Sequence, residues 1–320
     1  MGYRIKDGEA VSEGVKRIVL EQIDKAFVHL DLSTRNRDRA VHEARVCFKK
    51  IRAVLRLVAG ELGPATFRLE NVAYRDAGRQ LATARDTTVI AGTLEALVDH
   101  YNRQSEEPDI KTLRKHLRKA RAGQQQYKKQ VLRGAAESLS VARQRVEGWQ
   151  INGEGFSALA PGLRQVYKRG RRSYQRSLVE RTTENLHEWR KQVKYLWYQV
   201  FILNPIWPKP LDAMARELNK LADSLSEDHD LALLRRTLLS EEQSLSDPTQ
   251  IEKLVLLVDN RRIQLQTRAI ALGARLYAEK PGSFTNRIGA YWEAWSPARV
   301  VDQVEAEQLT LAAYETVSAS

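Results

Sequence analysis

Apolar residues recur at three- and four-residue spacing through Val15–Leu32, Val41–Val58, Val72–Leu81 and Val89–Val98. That is the period of an amphipathic helix with one buried face. No stretch alternates with the period of two that a half-buried strand requires. The same spacing predicts further helices from Leu113 to about Val146 and over Leu163–Leu178, Leu186–Leu203, Leu211–Leu225, Leu231–Leu239 and Ile251–Tyr277, with the last element ending near Trp295, before Pro297. Breaks fall at Ser33–Asp38, Gly60–Pro64, Glu106–Asp109, Gly148–Gly155 and Asn204–Pro210, each carrying Gly, Pro or capping side chains. Long helices joined by short connections predict an all-α fold with antiparallel neighbours.

The chain also matches itself at an offset of 145 residues. Val41, Ala44, Phe48, Ile51, Leu55 and Val58 form a heptad-like apolar stripe, and Leu186, Trp189, Val193, Leu196, Val200 and Leu203 reproduce it position for position. Both helices are therefore expected to bury the same face. Leu81–Asp86 and Leu225–Asp230 also correspond, each expected to lead into a helix, with the acids of Glu227–Asp228–His229–Asp230 capping its start. The economical reading is two copies of a helical hairpin unit in one domain over 8–296, the copies at about 8–147 and 159–296, with 297–320 a C-terminal tail.

Composition adds a partner class. Lys and Arg number 52 against 40 Asp and Glu, a formal net charge of +12, and the pI is near 9.7. A negatively charged partner is the first expectation. The 17 Gly and 9 Pro are few for this length, which suits helices. Cys47 stands alone, which excludes an intramolecular disulfide and a cysteine-cluster metal site, and it is expected to be inert packing. Met1–Gly14 is polar and lacks a signal-peptide core. The longest apolar run, Tyr195–Trp207, is too short to span a bilayer and is interrupted by Gln199, Asn204 and Pro205. A cytoplasmic protein without membrane insertion is expected.

Beside each apolar stripe runs a polar one. His42, Arg45, Lys49, Arg52 and Arg56 are spaced three, four, three and four, so they project from one side of one helix. The rungs stand about 5 Å apart, and like charges at that spacing destabilise a helix unless an anion compensates them. A solvated face would interleave acids, yet only Glu43 lies between Val41 and Gly60. His187, Arg190 and Lys194 repeat the register in the second copy. Two further segments lack acids. Lys111–Arg133 carries nine Lys or Arg, with Arg114, Lys115, Arg118 and Arg121 on one broad helical face, and Arg164–Arg176 carries six, with Lys168, Arg169, Arg171 and Arg172 crowding one turn. The plainer alternative for both is a disordered basic segment. Arg supplies a planar fork and Lys a mobile point charge, so such ladders suit a long anionic ligand. His42 and His187 sit early in their helices, after capping candidates Asp38 and Thr182 or Thr183, where backbone N–H groups also favour anions.

At His42-Glu-Ala-Arg45-Val-Cys-Phe-Lys49-Lys50-Ile-Arg52 and His187-Glu-Trp-Arg190-Lys191-Gln-Val-Lys194 the chain resembles the CHAD family, the conserved-histidine α-helical domains. Tyr167–Arg172, the pair Ala84-Arg85-Asp86 and Asp228-His229-Asp230, and Leu276–Pro281 are similar to its other signatures. The resemblance implies two four-helix bundles related by a pseudo-twofold axis around a basic central groove or pore that binds inorganic polyphosphate, and association with polyphosphate granules. It makes His42, Arg45, Lys49, Lys50 and Arg52, with His187, Arg190, Lys191 and Lys194, the ligand-facing set. One departure stands out: Trp197 and Phe201 occupy the second-copy positions of Arg52 and Arg56. The Glu-x-Glu-x-Lys strand of the triphosphate tunnel domain to which many CHAD domains are fused is missing, so a stand-alone domain is implied.

Three other readings compete. Catalysis finds no support: neither histidine motif supplies the second His of a zinc-binding His-Glu-x-x-His helix, and no Gly-Lys-Ser or Gly-Lys-Thr phosphate loop is present. No catalytic residue, metal or cofactor is expected. Nucleic acid would answer to the same phosphate electrostatics, as a weaker competitor. Single-strand binders display rings for base stacking, whereas Phe48 and Trp189 fall on the buried stripe, although Tyr195, Trp197 and Tyr198 could flank the second basic face. A helical scaffold for an acidic protein is the third.

Overall fold

The computed structural model describes residues 2–31, 37–81, 86–101, 129–240 and 248–295. These form ten α-helices: α1 (Val11–Leu30), α2 (Arg37–Leu57), α3 (Ala59–Gln80), α4 (Asp86–Tyr101), α5 (Lys129–Glu147), α6 (Ala160–Val179), α7 (Thr183–Leu203), α8 (Pro208–Ser240), α9 (Pro248–Leu276) and α10 (Pro281–Trp295). Single 3₁₀ turns at Gly155–Ala158 and Asn204–Ile206 lead into α6 and α8, and the described residues contain no strand. The expected break at Glu106–Asp109 and the first part of the helix expected from Leu113 lie outside the described residues.

Most predicted punctuation acts where the sequence places it. Thr182 caps α7 by accepting a hydrogen bond from the Asn185 amide at 3.2 Å. The Gly60–Pro64 break falls at Gly63, whose non-helical φ 70° and ψ 164° interrupt α3 just before Pro64 and divide it into a short first turn and a longer helix. The helices expected over Leu211–Leu225 and Leu231–Leu239 are instead one continuous α8. No Gly or Pro interrupts it between them, and Asp228, one of the acids read as caps, is used laterally, while Ser226 before it bonds back within the helix. Ser226 Oγ folds back to donate to the Ala222 carbonyl at 2.6 Å. Buried Asp228 accepts from Arg262 Nε at 3.0 Å and from Gln266 Nε2 at 2.8 Å, both on α9.

Both apolar stripes are buried as expected, and in one shared core. All twelve residues, Val41 to Leu55 on α2 with Val58 just beyond its end, and Leu186 to Leu203 on α7, are buried in the main core, and burial at this scale is the dominant stabilising term. The helices lie close enough for Gln199 Nε2 to donate to the Ala53 carbonyl at 3.2 Å. Helix α6 crosses α2 at Gly162, where an added Cβ would stand 1.9 Å from the Leu57 carbonyl oxygen. The N-terminal segment straps both helices, with the Ile5 amide donating to the Ile202 carbonyl at 3.1 Å and the Tyr3 hydroxyl to that of Lys50 at 2.9 Å.

A second, smaller core lies apart from the first. Ile90, Leu94, Leu97 and Val98 of α4 pack against Leu231, Leu234 and Leu238 of α8 and Ile251, Leu254, Val258 and Leu265 of α9. A helix from the first half of the sequence thus completes its burial on two from the second.

Candidate functional site

Because α2 and α7 bury their apolar stripes against a common core, the polar stripes beside them turn toward a shared space. That space is a cavity of about 470 Å³. Helix α2 lines it with Arg45, Phe48, Lys49 and Arg52, α3 with Tyr74, Arg75, Gly78 and Arg79, α7 with His187, Arg190, Lys191, Lys194, Tyr195 and Tyr198, and α8 with His229, Asp230 and Leu233. Eight of these side chains are Lys or Arg and one, Asp230, is a carboxylate. Cationic side chains confined between low-dielectric helix walls repel one another and focus a positive potential into the cavity.

The ladder residues divide by position. Arg52 donates through Nε to Asn71 Oδ1 at 3.1 Å. Arg190 donates through Nε to Ser226 Oγ at 2.8 Å. Lys194 lies over the Trp197 ring at 5.4 Å, and burial, with Arg190 next, pushes its ammonium down from its ordinary value. Lys191 pairs with Glu188 at the exposed edge. His187 packs against His229 at 4.6 Å between ring centroids, its Nδ1 buried with no hydrogen-bond partner. Burial, then His229, Arg190 and Lys191, push His187 down to about 4, so its imidazole is neutral at pH 7.

Other predicted residues stand elsewhere. Arg56 is turned inward, its guanidinium 3.9 Å over the Tyr195 ring, donating to the Arg52 carbonyl at 2.7 Å and to Asn71 Oδ1 at 3.1 Å. Burial pushes it down to about 10. His42 is half-buried one turn before Arg45, outside the lining. Lys50 places its ammonium 5.3 Å from the Tyr3 ring, away from the cavity lining. Lys168, Arg169 and Arg172 are exposed on α6 and do not line the cavity. Arg114, Lys115, Arg118 and Arg121 lie outside the described residues.

Four polar lining residues had been assigned no such role from sequence. Arg75 and Arg79 are four apart on α3 beside buried Tyr74 and Ala77, a spacing that places both on one helix face and was there to be read. They share Asp76, which accepts from Arg75 at 2.8 Å and stands 3.8 Å from Arg79, at an exposed mouth. His229 and Asp230 were hidden by the helix-start reading of Glu227–Asp230. Among the described residues no group of three His, Cys, Asp or Glu is placed to hold a metal ion. No described helix is long and apolar enough to cross a membrane.

The aromatic residues of the cavity are not open platforms. Arg56 covers the Tyr195 ring, and Tyr198 packs against Trp197 at 4.9 Å and against Tyr3, edge-on, at 6.0 Å. Both tyrosines are buried.

Residues 17–239 match the family model described as CHAD domain. Among solved structures, the chain is similar to the crystal structure of the CHAD domain from the plant Ricinus communis, with a TM-score of 0.59 at 15% identity, over 87% of this chain and 96% of that one. At that identity the likeness is one of fold, and it extends the match beyond the C-terminal limit of the family model. No curated protein matches the chain.

Proposed function

Since the chain belongs to the CHAD domain family, we propose that it binds a linear polyanion, inorganic polyphosphate, in the cavity between α2, α3, α7 and α8. The observation that carries this reading is that two basic stripes 145 residues apart in sequence line one cavity together. In this reading the two copies supply facing walls of a central groove, and successive phosphates lie along the rungs of α2 and α7. The domain needs no catalytic group or cofactor, works in the cytoplasm, and is recruited to polyphosphate granules.

Single-stranded nucleic acid fits less well, because the cavity's three tyrosines are buried and already packed, Tyr195 under Arg56, Tyr198 against Trp197 and Tyr3, and Tyr74 against Phe48. Base stacking is what such binders add to backbone electrostatics. An acidic protein segment would bring side-chain carboxylates at irregular spacing, less suited to repeated rungs. The test is competition at matched charge and salt, with labelled polyphosphate displaced by unlabelled polyphosphate, RNA, DNA or an acidic peptide. Polyphosphate should displace the label at the lowest concentration. Equal displacement by RNA would overturn the choice of ligand.

A further inference from the structure

Adjacent positions on α3 treat their arginine partners in opposite ways. Glu70, fully buried, takes Arg145 of α5 in two hydrogen bonds of 2.7 and 3.0 Å, so that charge is cancelled where it stands. Asn71, the next residue, receives Arg52 Nε and Arg56 Nη1 on the same Oδ1, each at 3.1 Å. Guanidinium groups only donate, so the amide oxygen is the atom both must meet. Elsewhere in the fold several arginines are gripped by carboxylates, Arg17 by Glu9 at 2.6 Å, Arg262 by Asp228 at 3.0 Å and Arg287 by Glu279 at 2.6 Å, whereas Arg171 and Arg190 each donate to a neutral oxygen, of Tyr277 and Ser226. Asn71 alone among these acceptors gathers two arginines on one neutral atom. Arg75 lines the cavity and is paired with Asp76, but at its exposed mouth. At Asn71 a neutral acceptor stands where a carboxylate of the same shape would form a two-arginine ion pair.

We propose that Asn71 is a positioning residue for the anion site: it fixes the direction in which Arg52 faces the cavity without pairing its charge to a carboxylate. Asp76 acts on Arg52 only through space. The proposal rests on the polyanion reading of the cavity. An acid here would stabilise the empty protein, because Arg52 and Arg56 repel each other, and would compete with the ligand for the same guanidinium. An amide orients without competing. Arg52 is thereby preorganised for a phosphate, which lowers the ordering cost of binding. The second copy has no equivalent pair, with Trp197 and Phe201 at those positions, so Asn71 acts at one end of the site.

The test compares Asn71→Asp and Asn71→Ala with the wild-type chain, using labelled polyphosphate across a salt series and thermal unfolding without ligand. Asn71→Asp should melt higher at low salt yet bind about tenfold more weakly, the size of one charge-assisted hydrogen bond. Its log affinity against log salt should flatten by about 0.7, one phosphate contact. Asn71→Ala should lose affinity through misdirection of Arg52 while keeping the wild-type salt slope. In an Arg52→Ala background the binding penalty of Asn71→Asp should vanish. Wild-type binding matched by Asn71→Asp in both affinity and salt slope would overturn the proposal alone. Failure of the wild-type chain to bind polyphosphate would overturn the functional reading, and the proposal with it.

Discussion

Replacing His187 with Gln removes an imidazole whose titration the cavity strongly displaces, from 6.5 to about 4. The unfolded chain takes up a proton on this residue near pH 6.5, whereas the folded chain holds it neutral until about pH 4. Unfolding therefore binds protons between those limits, and the stability present above pH 6.5 is lost as pH falls through the window. At about 1.4 kcal/mol per pKa unit the full displacement is worth about 3 kcal/mol, which partial exposure reduces to about 1–2 kcal/mol. Urea unfolding at pH 7, 5.5 and 4.5 should show the wild-type chain losing about that much more than His187→Gln. Polyphosphate acts with the opposite sign. Phosphate charge beside an imidazole depressed by burial, His229, Arg190 and Lys191 raises its pKa, so affinity should grow as pH falls through the same window, by up to about tenfold for each unit regained. Calorimetric titration in buffers of different ionisation enthalpy counts the protons taken up. Parallel losses of stability in the two proteins, with equal proton uptake on binding, would refute the argument and make His187 a packing residue.

Polyphosphate affinity should fall steeply with salt, log affinity declining by about 0.7 per phosphate neutralised, as for single-stranded nucleic acids; a flat response in a filter-binding series would remove the multi-contact model. Charge reversal at Lys49 and Arg190 together should weaken binding at every pH while leaving the helical circular dichroism signal intact, because two facing rungs of the cavity become repulsive. Purified protein should release no phosphate from polyphosphate or triphosphate with or without divalent metal, and turnover abolished by a cavity mutation would reassign the site. Leu94→Ala, in the smaller core, should cost about 2–5 kcal/mol in urea unfolding, with polyphosphate affinity measured on the folded fraction unchanged.

The main core was legible because amphipathic period survives in the residues themselves: the α2 and α7 stripes needed no tertiary information to be found. The ladder was legible only in its middle. A spacing of three and four averages 3.5 residues against 3.6 per turn, so the line from His42 to Arg56 drifts by about 40° over two heptads. Arg45, Lys49 and Arg52 keep the cavity face, while Arg56 turns in over Tyr195 and His42 leaves the lining. Lys50 follows Lys49 by about 100° of helix rotation, and the structure accordingly seats it against Tyr3. The reading of Glu227–Asp230 failed because an acid near an apolar run looks the same whether it caps its own helix or pairs with a neighbour, and only the position of Arg262 and Gln266 on α9 distinguishes the two. The seat of α4 carries no local signal at all.

That seat bears on how the protein is made. Leu94 and Val98 must wait for Leu254 and Val258, and the Tyr101 hydroxyl, which donates to the Leu257 carbonyl at 3.4 Å, bridges 156 positions of chain. At about 5–20 residues per second, α4 leaves the ribosome about 10–30 s before its partners do. Throughout that interval it presents an apolar face with no native surface to cover it, at the stage of synthesis when nascent chains are most prone to aggregate. Slowing translation downstream of codon 101 should therefore lower the soluble yield more than slowing it upstream of codon 86, and holdase chaperones should be engaged most during that interval.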